Sequence, residues 1–137
     1  MAVINLKLEY LTDKFLKDST DENSRELLDE ITHVIIENGE VLIDGEKMAD
    51  GQIDPAHIEV ELDHRFYFHV YTSKIAFDRC HGKNAYVIPL KNLLDPIFQN
   101  DTFGGITLNY VKGDKTVLIS KEEIYGSLQN YLKRQAQ

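Results

Sequence analysis

The feature that most constrains this chain is a change of hydrophobic period near Asn38-Gly39. Before it, apolar residues recur every three or four positions, as on one face of a helix; beyond it they increasingly alternate, as on a strand with one wet face. Leu8, Leu11 and Phe15 form a first helical stripe, with Ile4 as a possible extension. A second helix starts near Asn23, where Asn23 and Glu26 have capping-box spacing, and carries Leu27, Leu28, Ile31, Val34 and Ile35 on one face. Gly39 is suited to end it in the left-handed conformation.

After residue 40 the reading is of short strands. Val41-Leu42-Ile43 is a short apolar run, Asp44-Gly45 a turn, and Lys47 to Pro55 a surface loop. Ile58, Val60 and Leu62 alternate with acids, and Phe66, Phe68 and Val70 alternate with Tyr67, His69 and Tyr71, which predicts a hairpin. A two-residue loop, Asp63-His64, pairs Leu62 with Arg65. A three-residue loop, Asp63-His64-Arg65, pairs Leu62 with Phe66, Val60 with Phe68 and Ile58 with Val70. The second is preferred because it gathers all six apolar residues on one side, leaving Glu59, Glu61, Tyr67, His69 and Tyr71 on the other.

Further along come a short helix from Ser73 to Cys80, a strand from Ala85 to Pro89, and a helix or turn from Leu90 to Phe98. Gly104-Gly105 reads as punctuation before a strand Ile106 to Tyr110, and Lys112 to Lys115 as a turn before Thr116 to Ile119. Ser120 and Glu123 form a capping box opening a last helix with Ile124, Leu128, Tyr131 and Leu132 as its stripe. The expected fold is α+β: a mixed sheet of about five strands, with helices packed on it and amphipathic helices at both ends. Residues 1–137 form one expected domain, a normal size for a core that needs no metal or disulfide.

Charge narrows the partners. The net charge is −8, but residues 1–63 hold 17 acidic and 5 basic side chains, whereas residues 64–137 hold 6 and 10. An acidic chain is repelled by nucleic acid and by anionic membrane surfaces, so neither is an expected partner. The acidic first half suits a basic protein partner. The single cysteine, Cys80, excludes an internal bridge and suits a reducing compartment. Met1 to Tyr10 lacks the basic and apolar blocks of a signal peptide, and the cytoplasm is the expected location.

Catalytic motifs are hard to find. The five histidines, His33, His57, His64, His69 and His81, have no metal-ligand spacing, and no cofactor is implied. Cys80 lacks a local base and reads as a half-buried thiol at a helix end. Glu59, Glu61 and His69 would converge on the hairpin's exposed face, where a cation or a proton could be handled, although alternating acids also suit a solvated strand. Thr72 or Ser73 can cap the helix that follows, and Asn109 can bond its own backbone at a strand end. If the two strands preceding them run parallel, Thr72, Ser73 and Asn109 share the rim where open sheets collect ligands, and these three are the candidate ligand-binding residues.

The stretch from Phe66 onward resembles the N-terminal-type domain of the SseB family, bacterial proteins of poorly defined biochemistry. The resemblance lies in Val70-Tyr71-Thr72-Ser73, a strand running into a helix, and in Gly105-Ile106-Thr107-Leu108-Asn109, with strand Ala85 to Pro89 and Leu93-Leu94 between them. The chain departs from the family at Tyr71, where phenylalanine is usual, at Tyr110, where proline is usual, and at Asp63-His64, where Asp-Gly is typical. The lack of a catalytic constellation and the uneven charge favour a non-enzymatic protein-interaction or regulatory domain resembling SseB. Two other classes are a small-ligand binder or enzyme using the strand-end rim, and an immunity protein against a bacterial toxin.

Overall fold

A computed structural model describes residues 3–136; Met1, Ala2 and Gln137 lie outside the described residues. The chain is α+β, with helices near both ends. Helix α1 (Leu6–Lys17) is followed by α2 (Asp21–Ile36), whose N-cap is Thr20: its hydroxyl accepts the Asn23 amide at 3.1 Å. Asn23 is therefore not the cap. Its side chain turns inward and donates to the Asp18 carbonyl at 2.8 Å. At the other end Asn38, not Gly39, takes the left-handed backbone, with φ of 55°, while the Gly39 amide closes on the Val34 carbonyl at 2.7 Å. A Cβ on Gly39 would stand 2.9 Å from the Val34 side chain, so this glycine serves close approach instead of turn geometry.

The strands are β1 (Glu40–Lys47), β2 (Ile53–Pro55), β3 (His57–Val60), β4 (Arg65–Val70), β5 (Ala85–Pro89), β6 (Phe103–Leu108) and β7 (Val117–Ser120). Between them lie α3 (Lys74–Arg79) and α4 (Leu90–Gln99), and α5 (Lys121–Gln135) ends the fold. Seven strands lie among the described residues, against about five expected: β1 continues through the expected turn at Asp44-Gly45, and the expected loop after it contains β2. Gly45 is in-strand because a Cβ there would meet the Asp54 carbonyl at 2.7 Å across the β1–β2 pair.

The strands form two sheets, ordered β2-β1-β5 and β3-β4-β6-β7. They join like a fork. Leu42 and Tyr71 exchange backbone hydrogen bonds of 3.1 and 2.8 Å, and beyond that point β1 and β4 diverge. Ala56 sits at the split: its amide donates to the Asp44 carbonyl at 2.9 Å and its carbonyl accepts the His69 amide at 3.0 Å. One extended segment thus pairs first with β1, then with β4.

The β3–β4 register corrects both predicted hairpins. Val60 faces Arg65, Glu59 faces Phe66, Ile58 faces Tyr67 and His57 faces Phe68, with Glu61 to His64 as the connection. Ile58 and Val60 therefore lie on the face opposite Phe68 and Val70, and Leu62 is 94% exposed. What outweighs the apolar alternation is that β4 is buried on both faces, so Tyr67 and His69 are inside as well. Tyr67 and Arg65 both bond Asp63, at 2.8 and 3.0 Å, holding the turn in this register.

The main core lies between one sheet face and helices α1, α2, α4 and α5, with Leu8, Leu27, Ile31, Leu94, Ile106 and Ile124 completely or almost completely buried. Leu132, expected in the α5 stripe, is 53% exposed, and Ile4 is exposed as it pairs with Ser73. The predicted Ser120–Glu123 capping box is present. Gly104 and Gly105 lie within β6, not before it, because the strand passes too close for side chains: a Cβ would stand 2.4 Å from the Tyr67 ring at Gly104 and 2.0 Å from the Ile119 carbonyl at Gly105.

Candidate functional site

Strands β4 and β6 are parallel, in register from Tyr67 opposite Gly105 to Val70 opposite Leu108. Their carboxyl ends consequently lie side by side, and Thr72, Ser73 and Asn109 do meet on one rim. Asn109 adopts a φ of 52°, a conformation that its short amide side chain tolerates. Its Oδ1 accepts the Thr72 amide at 3.0 Å, and its Nδ2 donates to Thr72 Oγ1 at 3.1 Å. Ser73 caps α3 by accepting the Ala76 amide at 3.0 Å.

The rim is closed by a residue that no sequence pattern singled out. Glu9, on α1, accepts the Thr72 hydroxyl at 2.8 Å and the Ser73 hydroxyl at 2.9 Å, both on Oε1. Asn5 strengthens the strap: its backbone amide and its Nδ2 both donate to the Thr72 carbonyl, and Nδ2 also donates to the Glu40 carbonyl. Thr72 is wholly buried and Ser73 nearly so. The only sequence hint was that Asn5 stands immediately before a helix; nothing marked Glu9 as pointing at a strand end.

Behind the fork lies a second polar group, on the sheet face turned away from the main core. His69 Nδ1 is 2.8 Å from Thr107 Oγ1, and its ring stacks on Tyr110 with centroids 4.2 Å apart. Burial pushes the imidazole down to about 4, and neighbouring His57 adds to the effect. Tyr71 and Cys80 are both held above their ordinary values by burial. Cys80 is the C-cap of α3.

Glu59, Glu61 and His69 do not converge. Glu59 shares the Phe66 side of the sheet, Glu61 lies in the connection, and His69 is on the opposite side, buried. Among the described residues, no three His, Cys, Asp or Glu side chains are grouped to hold a metal. None of the helices described is long and apolar enough to cross a membrane.

A cleft of about 450 Å³ opens beside the fork, lined by Asp44, Glu46, Asp54, His57 and Lys83 among others. Asp44 spends its carboxylate on the backbone amides of Lys83 and Asn84, at 3.2 and 3.0 Å, tying the chain after α3 to β1. Near the hairpin turn, Arg65 makes a bidentate pair with Glu122 at 2.9 Å and also reaches Asp63. The pair with Glu122 holds the guanidinium charged still more firmly and draws the Glu122 carboxyl below its usual range.

Comparison with protein-family models, with curated proteins and with solved structures finds no match to this chain.

Proposed function

We propose that this protein is a non-enzymatic interaction or regulatory domain of SseB-like type, which meets a basic protein partner through acidic surface contributed by its first half. The observation that carries the reading is the closure of the strand-end rim. The hydroxyls of Thr72 and Ser73 are committed to Glu9, and the Asn109 amide is committed to Thr72. A ligand entering there would have to displace a charge-assisted network instead of completing one. The carboxylates of Glu46 and Asp54, by contrast, stand in the open cleft with no ion pair among the described residues.

The test is retention from native bacterial lysate on the immobilised chain at low and high salt. A partner held at low salt and released at high salt is the expected result, because exposed charge pairing is screened over about 10 Å at 0.1 M salt. No retained protein at low salt sinks the reading. Thermal-shift screening against amino acids and nucleotides should be flat; a ligand that raises the melting point, and loses that effect in Asn109→Ala, would restore the rim as a binding site.

A further inference from the structure

We propose that the free edge of β5 is a strand-addition site that takes up an extended, acid-flanked segment of another protein. This edge belongs to the basic second half of the chain and stands apart from the acidic surface invoked above. The pairing phase fixes which of its backbone groups are open. Leu42 lies opposite Val87, and Asp44 opposite Ala85. Leu42 spends both its amide and its carbonyl on Tyr71, and the Asp44 carbonyl accepts the Ala56 amide. Both residues thus turn their backbone groups away from β5. In an antiparallel ladder the residues opposite them do the same in the other direction, so the N–H and C=O groups of Ala85 and Val87 face outward. Neither residue makes a hydrogen bond outside the ladder among the described residues. The pairing of β5 with β1 runs without a register shift, and β5 rests on β1 along one edge and on α4 along one face. Ala85 is exposed and Val87 is 40% exposed, which leaves the outer edge open to solvent.

An open row of donors and acceptors is a template for one more strand, and its geometry selects the occupant. A second copy uses only half of the row. Around a two-fold axis at Val87, Ala85 falls opposite Pro89 of the other copy, which has no N–H and whose carbonyl serves as the N-cap acceptor of α4. A foreign strand without proline satisfies the outward groups of Ala85 and Val87 alike. Charge narrows the choice further. Lys83 and Lys91 stand just beyond the two ends of β5, both exposed, and neither forms an ion pair among the described residues. They favour carboxylates at the ends of the incoming segment and repel a basic one. Between them, half-buried Tyr86 and Ile88 border the core on one face, whereas Val87 borders solvent on the other. That arrangement suits alternating apolar and polar side chains.

The probe is a short capped peptide that alternates valine and threonine between terminal glutamates, titrated into the isotopically labelled full chain. One control carries terminal lysines, the other N-methyl groups along its whole backbone. Saturable shifts and slowed exchange at the Ala85 and Val87 amides are expected, weakened several-fold by the terminal lysines and abolished by N-methylation. Val87→Pro removes an outward N–H that the β1 ladder does not use, so this variant should keep its amide dispersion and lose the response. If it fails to fold, the N-methylated control decides alone. No saturable response at β5, a response confined to another strand edge, or one that survives N-methylation overturns the proposal. Equal binding of the lysine-ended peptide overturns the acid-flanked assignment. Protection at β5 that rises with protein concentration alone marks a second copy and overturns the foreign strand. Failure here leaves the basic-partner reading to its own lysate test, in which a partner released by salt still supports it.

Discussion

Glu9 and Thr72, 63 residues apart in sequence, share a hydrogen bond of 2.8 Å that fastens the first helix across the ends of the two parallel strands. Thr72 is fully buried, and without the carboxylate its hydroxyl donor is left with only a 3.5 Å contact to Asn109 Oδ1. Glu9→Ala should lower stability by about 1–3 kcal/mol, the usual penalty for an orphaned buried donor. Glu9→Gln, which keeps an acceptor oxygen, should lose less than half of that. Urea midpoints of the two variants decide the matter. Equal losses would mean that the bond contributes nothing beyond the side chain's packing.

His69 gives the fold a pH dependence whose sign can be worked out. Its imidazole titrates near 4 when folded, below the 6.5 of a free histidine, so the unfolded chain takes up the proton first. The stabilisation is complete above pH 6.5 and is lost progressively as pH falls towards 4. It amounts to about 3 kcal/mol from the size of the shift. His69→Gln should flatten this part of the stability profile. A variant with the same slope between pH 6.5 and 4 as the parent would rule His69 out as the cause.

Lys121 is a buried cation whose Nζ donates to the carbonyls of Ile97 and Asn100, at 3.2 and 3.0 Å, at the end of α4. Those carbonyls carry the negative end of the helix dipole, and that of Asn100 also accepts the Phe103 amide at 3.0 Å. Lys121→Met keeps the apolar stem and removes the donor, at an expected cost of about 1–3 kcal/mol. Chemical denaturation measures it, and amide exchange near Asn100 should quicken if the C-terminal turn of α4 frays.

Gly105 lets β6 and β7 come together. Any Cβ at this position meets the Ile119 carbonyl at 2.0 Å, a backbone atom that cannot swing aside. Gly105→Ala should destabilise by about 2 kcal/mol or more through overpacking. Gly113→Ala, at an exposed turn with φ of 89° and open space around the Cβ position, should lose only about 1 kcal/mol, from conformation alone. Comparable melting temperatures for the two variants would contradict the crowding argument.

How far the sequence could be read follows from what decides each element. Helices α2 and α5 were legible because their burial has one sided, periodic causes: Leu27, Ile31 and Val34 on one, Ile124 behind the Ser120–Glu123 box on the other. The strand Ala85 to Pro89 appeared within its true bounds. The hairpin register did not, because alternation assumes one wet face and β4 has none; Asp63's bonds to Arg65 and Tyr67 are tertiary in effect. The rim was legible as a meeting of Thr72, Ser73 and Asn109, but its closing group was not. Glu9 follows Leu8 on an ordinary amphipathic helix, and only the packing of that helix directs its carboxylate to the strand ends.

The chain's path between its two sheets means that its acidic and basic portions cannot be parted. It builds β1 and β2 in one sheet, β3 and β4 in the other, returns for β5, and comes back for β6 and β7. A break after residue 63 would leave β1 without β5 and β3 without β4, so each fragment would hold the unmatched half of the other's hydrogen bonds. Two polypeptides cut there would have to reassemble by interleaving. The electrical polarity written along the chain is therefore carried by one indivisible body.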